Sequence, residues 1–197
     1  MSKILNTKLL KHAVKQGMVI GIGTVFLSTL VSLSSQAILS YLGPLTLKFI
    51  LLIVIILIGV IFDIIGVAAA VANESPFHAR AATKALGAKQ AVRIVRNGDR
   101  VASFSNDVVG DISGILSGAI GAAIVFELLH HTSQGVLIGT LMTSLIAGLT
   151  VGGKAMGKSL AIEHANDIVL RVGMLLALIE NTTGIRIFGD GRKKGRK

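Results

Sequence analysis

Three carboxylates stand inside or at the edge of apolar stretches, where an ionised side chain is costly. Asp63 lies within the apolar run 47–72, and Asp107 and Asp111 lie one helical turn apart near the start of the run 106–129. A carboxylate in hydrocarbon costs several kcal/mol unless it is paired or hydrated. We therefore expect Asp63 either to accept a cation or proton, or to pair structurally with a Lys or Arg of another helix.

Small residues continue the pattern of the two later acids. Gly114, Gly118 and Gly121 follow nearly the same helical stripe as Asp107 and Asp111, which predicts that acids and glycines face the bundle interior together. Carboxylate oxygens in such a place suit hard cations such as Mg²⁺. The alternative is an acid pair near water at a helix N-terminus, stabilised by the helix dipole. The glycines predicted to serve helix packing are Gly110, Gly114, Gly118, Gly153 and Gly157.

Two other polar groups stand at the ends of apolar runs. Glu127, His130 and His131 have helical spacing and could capture a divalent ion, although polar residues at a membrane surface need no special role. Lys154 and Lys158 lie one turn apart after the run 135–153. Lys158 is expected to be a simple basic anchor, whereas Lys154 is expected to lie deeper.

The composition excludes several classes of function. Hydrophobic residues make up 52% of the 197 residues and charged residues only 15%, well below the quarter that is usual for soluble domains. The absence of Cys excludes disulfides and thiolate chemistry, and no nucleophile elbow, phosphate loop or zincin motif occurs, so we expect no enzyme and no covalently bound cofactor. The net charge of +10 lies in blocks between apolar runs, which disfavours nucleic-acid binding.

Four apolar runs, 18–42, 47–72, 106–129 and 135–153, are each close to the ~20 residues needed to cross a bilayer. They predict an all-α integral membrane protein with about four transmembrane helices. The segment 1–16 and the region from 161 onward are expected to be amphipathic helices on the membrane surface, and 73–105 to hold one or two short ones.

The basic residues predict the topology. Nineteen of the twenty Lys and Arg residues lie in the N-terminal segment, in the segment 73–105 and after the fourth run, and the exception is Lys48. Because basic residues accumulate on the cytoplasmic side, both termini are expected in the cytoplasm of a multi-pass cell-membrane protein.

Several short motifs carry a family resemblance over about residues 61–178. They are the stretch Gly153 to Ala161, which is similar to the pattern Gly-Glu-x-x-Pro-Lys-x-x-Ala, the loop elements Gly87-Ala88-Lys89, Arg93-Ile94-Val95 and Asp99-Arg100, and the pairs Phe62-Asp63 and Gly110-Asp111. In these motifs and their order the chain resembles the transmembrane domain of the cyclin M and CorB/CorC Mg²⁺/Co²⁺ transporter family.

The resemblance implies three core helices, a juxtamembrane helical belt, a homodimer and an inward-facing acidic cavity that binds Mg²⁺. The corresponding division is a basic segment with an additional transmembrane helix at 1–45, a CorB/CorC-like domain at 46–188 and a disordered basic tail at 189–197. The chain has no counterpart of the cytosolic nucleotide-binding domains of the family, so regulation by ATP within it is not expected.

Four positions depart from the family pattern. Lys154 stands at the Glu position, Gly157 at the Pro position, Asp63 at a Ser position and Asp111 at an Asn position. A lysine offers no acceptor and repels a nearby Mg²⁺. One hypothesis is that Lys154 pairs with Asp63 or Asp111 and fills the metal position.

The other hypothesis has Lys154 pointing to lipid headgroups while Asp63 and Asp111 form a rearranged site. Two functions follow from these alternatives. The first is divalent-cation transport, by a family member or a divergent relative. The second is a non-transporting membrane scaffold that kept the fold and lost the metal site.

Overall fold

The computed structural model describes residues 2–41, 43–129 and 135–184, and all regular structure within those ranges is helical. Four stretches are long and apolar enough to cross a membrane, namely Gly17–Ser34, Leu45–Val71, Gly98–Leu128 and Val136–Glu163. The prediction of an all-helical chain with four helices of spanning length and apolarity is therefore confirmed for the described residues. The elements are α1 (Ser2–Tyr41), α2 (Leu45–Val71), α3 (Ser75–Ala82), α4 (Ala88–Arg96), α5 (Gly98–Ala102), a π-helix (Ser103–Gly110), α6 (Asp111–Leu129), α7 (Gly135–Glu163) and α8 (Ala165–Thr183).

The helix boundaries differ from the sequence prediction at three places. The segment 1–16 is not a separate surface helix, because α1 runs without a break from Ser2 to Tyr41. The segment 73–105 holds three short helices and the start of the π-helix, where one or two were expected. The fourth apolar run ends at residue 153, but α7 continues to Glu163, since backbone hydrogen bonding does not stop where hydropathy falls.

Helix α2 is the centre of the bundle and contacts α4 to α8 and the π-helix. It begins after Pro44. Proline has no backbone N–H group, so it leaves no donor unsatisfied at the start of a helix. Its buried positions include Gly59, Asp63 and Gly66, which recur at helical spacing on one face. Small residues on either side of Asp63 let the neighbouring helix approach this carboxylate closely.

Two apolar clusters hold the bundle together. The first joins the end of α2 to α3, α4, α7 and α8, and Phe77, Ile94 and Val169 are almost completely buried in it. The second joins α2, α6 and α7 through Leu52, Ile120, Ile124 and Ile146. The polar residues described below lie along α2 between these two clusters.

Helix α1 contacts α6, and large apolar side chains such as Ile22 and Phe26 are exposed along it. The division of the chain at residue 45 stays a prediction. His130, His131 and the tail 189–197 lie outside the described residues.

Candidate cation site

Asp63 is buried with 5% of its surface exposed, on the face of α2 that meets the π-helix and α6. The neighbouring glycines show how close this approach is. A Cβ at Gly59 would lie 2.9 Å from the Cβ of Ser113, and a Cβ at Gly66 would lie 2.1 Å from Oδ1 of Asn106. The sequence therefore places one carboxylate where two helices are in near-backbone contact.

The π-helix Ser103–Gly110 begins the segment that packs against Asp63. In a π-helix the backbone hydrogen bonds span five residues, and such segments often occur at functional sites. Ser105 and Gly110 are buried within it, whereas Phe104 and Asp107 are exposed. The carbonyl of Gly110, at its end, is thereby presented towards α7.

Lys154 of α7 reaches this carbonyl. Its Nζ donates a hydrogen bond of 3.0 Å to the carbonyl oxygen of Gly110. A Cβ on Gly110 would lie 3.3 Å from Lys154 Nζ and 3.8 Å from Asp63 Oδ1. The two charged groups therefore border the same small space. A bulkier residue at 110 would enter that space.

The ammonium and the carboxylate do not form a direct ion pair. The ion pairs found within 4.0 Å among the described residues include none between Lys154 and Asp63 or Asp111. Lys154 is instead held by an uncharged carbonyl and is partly buried, which also differs from the alternative of a side chain directed to lipid headgroups. The structure therefore does not show the predicted pairing of Lys154 with Asp63 or Asp111 among the described residues, and the ammonium binds the Gly110 carbonyl instead.

Two buried oxygen atoms at the site have no hydrogen-bond partner within the described part of the chain. They are Oδ2 of Asp63 and Oδ1 of Asn106. A buried acceptor without a donor carries its full desolvation cost, and such an atom calls for an explanation such as an ion or a water molecule. Sequence reasoning missed Asn106, although an amide at the start of an apolar run was the available signal.

Asp107 and Asp111 do not face the interior. Both are exposed in the structure, so the expected inward stripe of acids and glycines is wrong for these two carboxylates. The stripe that packs inward on α6 is Ile112, Leu116 and Ile120, offset by one residue. An inward Asp111 would add a like charge beside the buried carboxylate of Asp63, which is unfavourable.

The described residues contain no convergent group of three His, Asp or Glu side chains that could hold a metal ion. A cation at Asp63 would therefore rely on one carboxylate and on neutral oxygens. The metal roles predicted for Asp63, Asp107 and Asp111 stay predictions, and the structure places only Asp63 in the interior.

The predicted packing glycines fall into two groups. Gly110, Gly153 and Gly157 are at close contacts, because a Cβ would lie 3.3 Å from Lys154, 3.1 Å from Val60 and 2.8 Å from Ile64 respectively. Gly114 and Gly118 have no atom of the described residues within 4 Å of the Cβ position.

Instead, Gly114 and Gly118 line a cavity of about 280 Å³ between α6 and α7. Ser117, Thr143 and Thr150 add hydroxyl groups to its wall, and Lys154 also lines it. Each of these hydroxyls donates to a carbonyl of its own helix, which leaves oxygen lone pairs for a ligand or water. A partly polar space therefore adjoins the central lysine.

At the opposite end of α2, Lys48 forms an ion pair with Glu127 of α6. Glu127 is the carboxylate that the sequence predicts as a possible divalent-ion ligand together with His130 and His131, and here it pairs with Lys48. The structure thus assigns Glu127 a contact that joins α2 to α6.

Helices α4 and α8 form a layer that packs against the C-terminal end of α2. Glu180 of α8 accepts a hydrogen bond of 2.9 Å from Gln90 and lies 3.5 Å from Arg93, both on α4. Gly87, with φ of +78°, and Gly173 bring these two helices into backbone contact. Both helices also contact α2, and they share an apolar cluster with Ala68 and Ala69 near its C-terminal end.

Glu74, between α2 and α3, is the corner of this layer. Hydrogen bonds from Arg96 and from His78, both 2.7 Å long, hold the pKa of its carboxyl below the ordinary value of 4.5. The corner is therefore tied together by a charged carboxylate near neutral pH.

Fold and site together define the class: an all-helical protein with four helices of membrane-spanning length and a lysine and a carboxylate at the meeting of three of them. No protein-family model, curated protein or solved structure matches the chain. The resemblance to the cyclin M and CorB/CorC family therefore stays a prediction from the motifs quoted above.

Proposed function

We propose that the protein is a multi-pass membrane protein that transports cations of the Mg²⁺ and Co²⁺ type, with Lys154 as a built-in cation at the transport site. One observation carries the proposal: a carboxylate that is 95% buried between spanning-length helices has an oxygen without a hydrogen-bond partner among the residues that the structure describes. Such a group is costly in a membrane, and intramembrane carboxylates of this kind usually mark ion pathways.

The position of Lys154 suggests how the site is controlled. Its ammonium is held by the Gly110 carbonyl in the space it shares with Asp63 Oδ1. A divalent cation that uses this carbonyl must first displace the ammonium, because two cations at that distance repel strongly in a low-dielectric interior. On this proposal Lys154 is a tethered competitor that weakens resting metal binding.

The family resemblance supports the same function through its motifs and their order, and Lys154, Gly157, Asp63 and Asp111 are the four motif positions at which this chain departs from the family residues. It adds the proposal of a homodimer, embedded in the lipid bilayer of the cell membrane. The distribution of Lys and Arg adds the proposal that both termini lie in the cytoplasm.

Flux measurements in proteoliposomes test the proposal. Purified protein is reconstituted, and uptake of Mg²⁺, Co²⁺ and Mn²⁺ is compared between wild type, Asp63→Asn and the control Asp107→Asn. We expect wild-type uptake of at least one ion, loss in Asp63→Asn and little change in Asp107→Asn, because Asp107 is exposed. Equal uptake in Asp63→Asn and wild type would overturn the proposal.

One observation favours a second candidate, a non-transporting membrane scaffold. Lys154 already sits on the Gly110 carbonyl, so the site holds a cation without any metal. If no ion moves with wild type or with Lys154→Glu, and Asp63→Asn changes only assembly or partner binding, the scaffold function is supported.

A further inference from the structure

We propose that α8 and the turn between α3 and α4 form a binding surface for phospholipids with a negatively charged headgroup. The surface combines exposed apolar side chains with unpaired basic side chains, and its members are Lys84, Leu86, Lys89, Arg171, Leu175 and Leu178. The inference uses the membrane placement of the proposed function and goes beyond it, because it involves no residue of the candidate cation site.

Helix α8 is apolar on two opposite sides. Val169, Gly173 and Ala177 recur every four residues and are buried on the side that meets α2 and α4. Leu175 and Leu178 lie on the other side, and 61% and 52% of their surfaces are exposed. A helix that is apolar all round is normally covered on every side. The described part of the chain leaves this side of α8 open, so its apolar partner must come from outside that part.

The depth of α8 indicates that this partner is lipid. Val169 packs in one apolar cluster with Ala68 and Ala69, near the end of the spanning-length stretch Leu45–Val71. A helix of these 27 residues is about 40 Å long, close to the thickness of a bilayer with its headgroups. The end of α2 therefore lies at headgroup level, and a helix packed there presents its open side to the headgroups and the first acyl carbons.

The turn between α3 and α4 lies beside the same part of α8. Gly87 is so close to α8 that a Cβ on it would clash with the backbone of Met174, the residue before Leu175. Leu86 precedes this contact and is 52% exposed. The turn therefore adds a third exposed leucine next to the open side of α8.

The basic side chains of the surface have no acidic partner among the described residues. Lys84, Lys89 and Arg171 are exposed, and none of them forms an ion pair within 4.0 Å in that part of the chain. Asp167 precedes Arg171 by one helical turn, and the two form no such pair either. Exposed leucines thus stand among uncompensated positive charges.

Two other acids of this region are already paired. Glu74 binds Arg96, and Glu180 lies 3.5 Å from Arg93. The exposed basic side chains therefore keep their charge for a partner outside the described residues. A lipid with a net negative headgroup supplies the opposite charge, whereas a zwitterionic headgroup has no net charge to attract them.

Quenching of a single tryptophan by brominated phospholipids tests the inference, because the chain contains no native Trp. Full-length Leu175→Trp is reconstituted into bilayers that contain phosphatidylglycerol or phosphatidylcholine brominated in the acyl chains near the headgroup. We expect the binding constant for phosphatidylglycerol, measured by quenching, to exceed that for phosphatidylcholine about fivefold or more.

Leu57→Trp is the matched control, since Leu57 is 53% exposed near the middle of α2. It lies about 20 Å along the helix from the end of α2, beyond the reach of most screened surface charges. Both lipids should therefore quench Leu57→Trp with equal binding constants.

A second set of variants tests the basic side chains. Replacing Lys84, Lys89 and Arg171 together by Gln should remove the preference for phosphatidylglycerol at Leu175→Trp. Lys84→Arg, Lys89→Arg and Arg171→Lys, also combined, keep the charge and should keep the preference. If the elution profile shows that the Gln variant does not fold, added NaCl decides the question, because a preference that arises from exposed charges falls as salt rises. A preference that salt does not change would overturn the inference.

Equal quenching by the two lipids at Leu175→Trp would overturn the inference. A lack of quenching there while Leu57→Trp is quenched would also overturn it, because a second copy of the chain or another protein would then cover α8. Neither outcome affects the proposed transport function, which Asp63→Asn tests by flux. A preference for phosphatidylglycerol without flux of any ion would support the lipid surface and count against transport.

Discussion

The ammonium of Lys154 donates a 3.0 Å hydrogen bond to the carbonyl of Gly110, and thereby joins α7 to the end of the π-helix. The Cβ position of Gly110 lies close to both Lys154 Nζ and Asp63 Oδ1, so the bond brings the charged side chain of α7 near the buried carboxylate of α2 without a direct ion pair. A cation held by a neutral carbonyl is easier to displace than one paired with a carboxylate, because the carbonyl offers only a dipole and no opposite charge.

Removing the charge of Lys154 should strengthen binding of Mg²⁺. Lys154→Gln keeps a donor for the Gly110 carbonyl and removes the repulsion, so we expect Mg²⁺ affinity to rise about tenfold or more. Lys154→Arg, which keeps the positive charge, is the matched control and should not gain affinity. Titration calorimetry in detergent measures both, and equal affinities in the two variants would argue against a competing ammonium.

The contact between α4 and α8 should depend on glycine at residue 87. Gly87 has φ of +78°, and a Cβ there would lie 2.4 Å from the backbone nitrogen of Met174. Gly87→Ala therefore combines backbone strain with overpacking, and we expect a loss of about 3 kcal/mol in the free energy of unfolding.

Gly184 offers a control for the backbone conformation alone. It has φ of +69° at the end of α8, but no atom of the described residues lies within 4 Å of its Cβ position. Gly184→Ala should cost only about 1 kcal/mol. The two thermal midpoints in detergent check this, and a similar loss in both variants would show that contact with Met174 is unimportant.

The corner at Glu74 should weaken in acid. Because bonding to Arg96 and His78 lowers the pKa of Glu74 below 4.5, its stabilisation is present above that pH and is lost as pH falls through the folded-state pKa. Glu74 is about one-third exposed, so screening by solvent limits the effect to about 1 kcal/mol or less.

The measurement is the thermal midpoint as a function of pH for wild type and Glu74→Gln. We expect the difference between them to shrink as the pH falls below 4.5. Glu163→Gln, at an exposed acid, is the control and should leave the pH profile of wild type unchanged. A constant difference across the acid range would mean that the charge of Glu74 does not hold the corner.

Much of the fold could be predicted because apolar runs of spanning length leave few options besides helices. The end of α1 and the bounds of α2 agree with the sequence signals at Gly43-Pro44 and at residue 72 to within a few residues. The sequence also predicts an interior position for Asp63, because this acid lies in the middle of an Ile- and Leu-rich run.

The rest of the site could not be predicted for physical reasons. Hydrogen bonds that span five residues leave no periodic signature over eight residues, so the π-helix was not foreseen. Without it, the orientation of Asn106 could not be assigned. The glycine spacing predicts that Asp107 and Asp111 face inward, whereas the structure buries the adjacent stripe of Ile112 and Leu116.

On the proposal of a multi-pass membrane protein, the orientation of the chain can be measured without removing any native residue, because the chain contains no Cys. Ala85→Cys lies between α3 and α4, and Gly43→Cys lies between α1 and α2, and both positions are exposed. The positive-inside rule places residue 85 in the cytoplasm and residue 43 on the outer side. A membrane-impermeant maleimide added to intact cells should therefore label Gly43→Cys and should label Ala85→Cys only after the cells are opened.

His164→Cys, between α7 and α8, should behave as Ala85→Cys does, because two further spans separate them. Labelling of residue 85 but not of residue 43 in intact cells would invert the topology and would place the Lys- and Arg-rich helices outside.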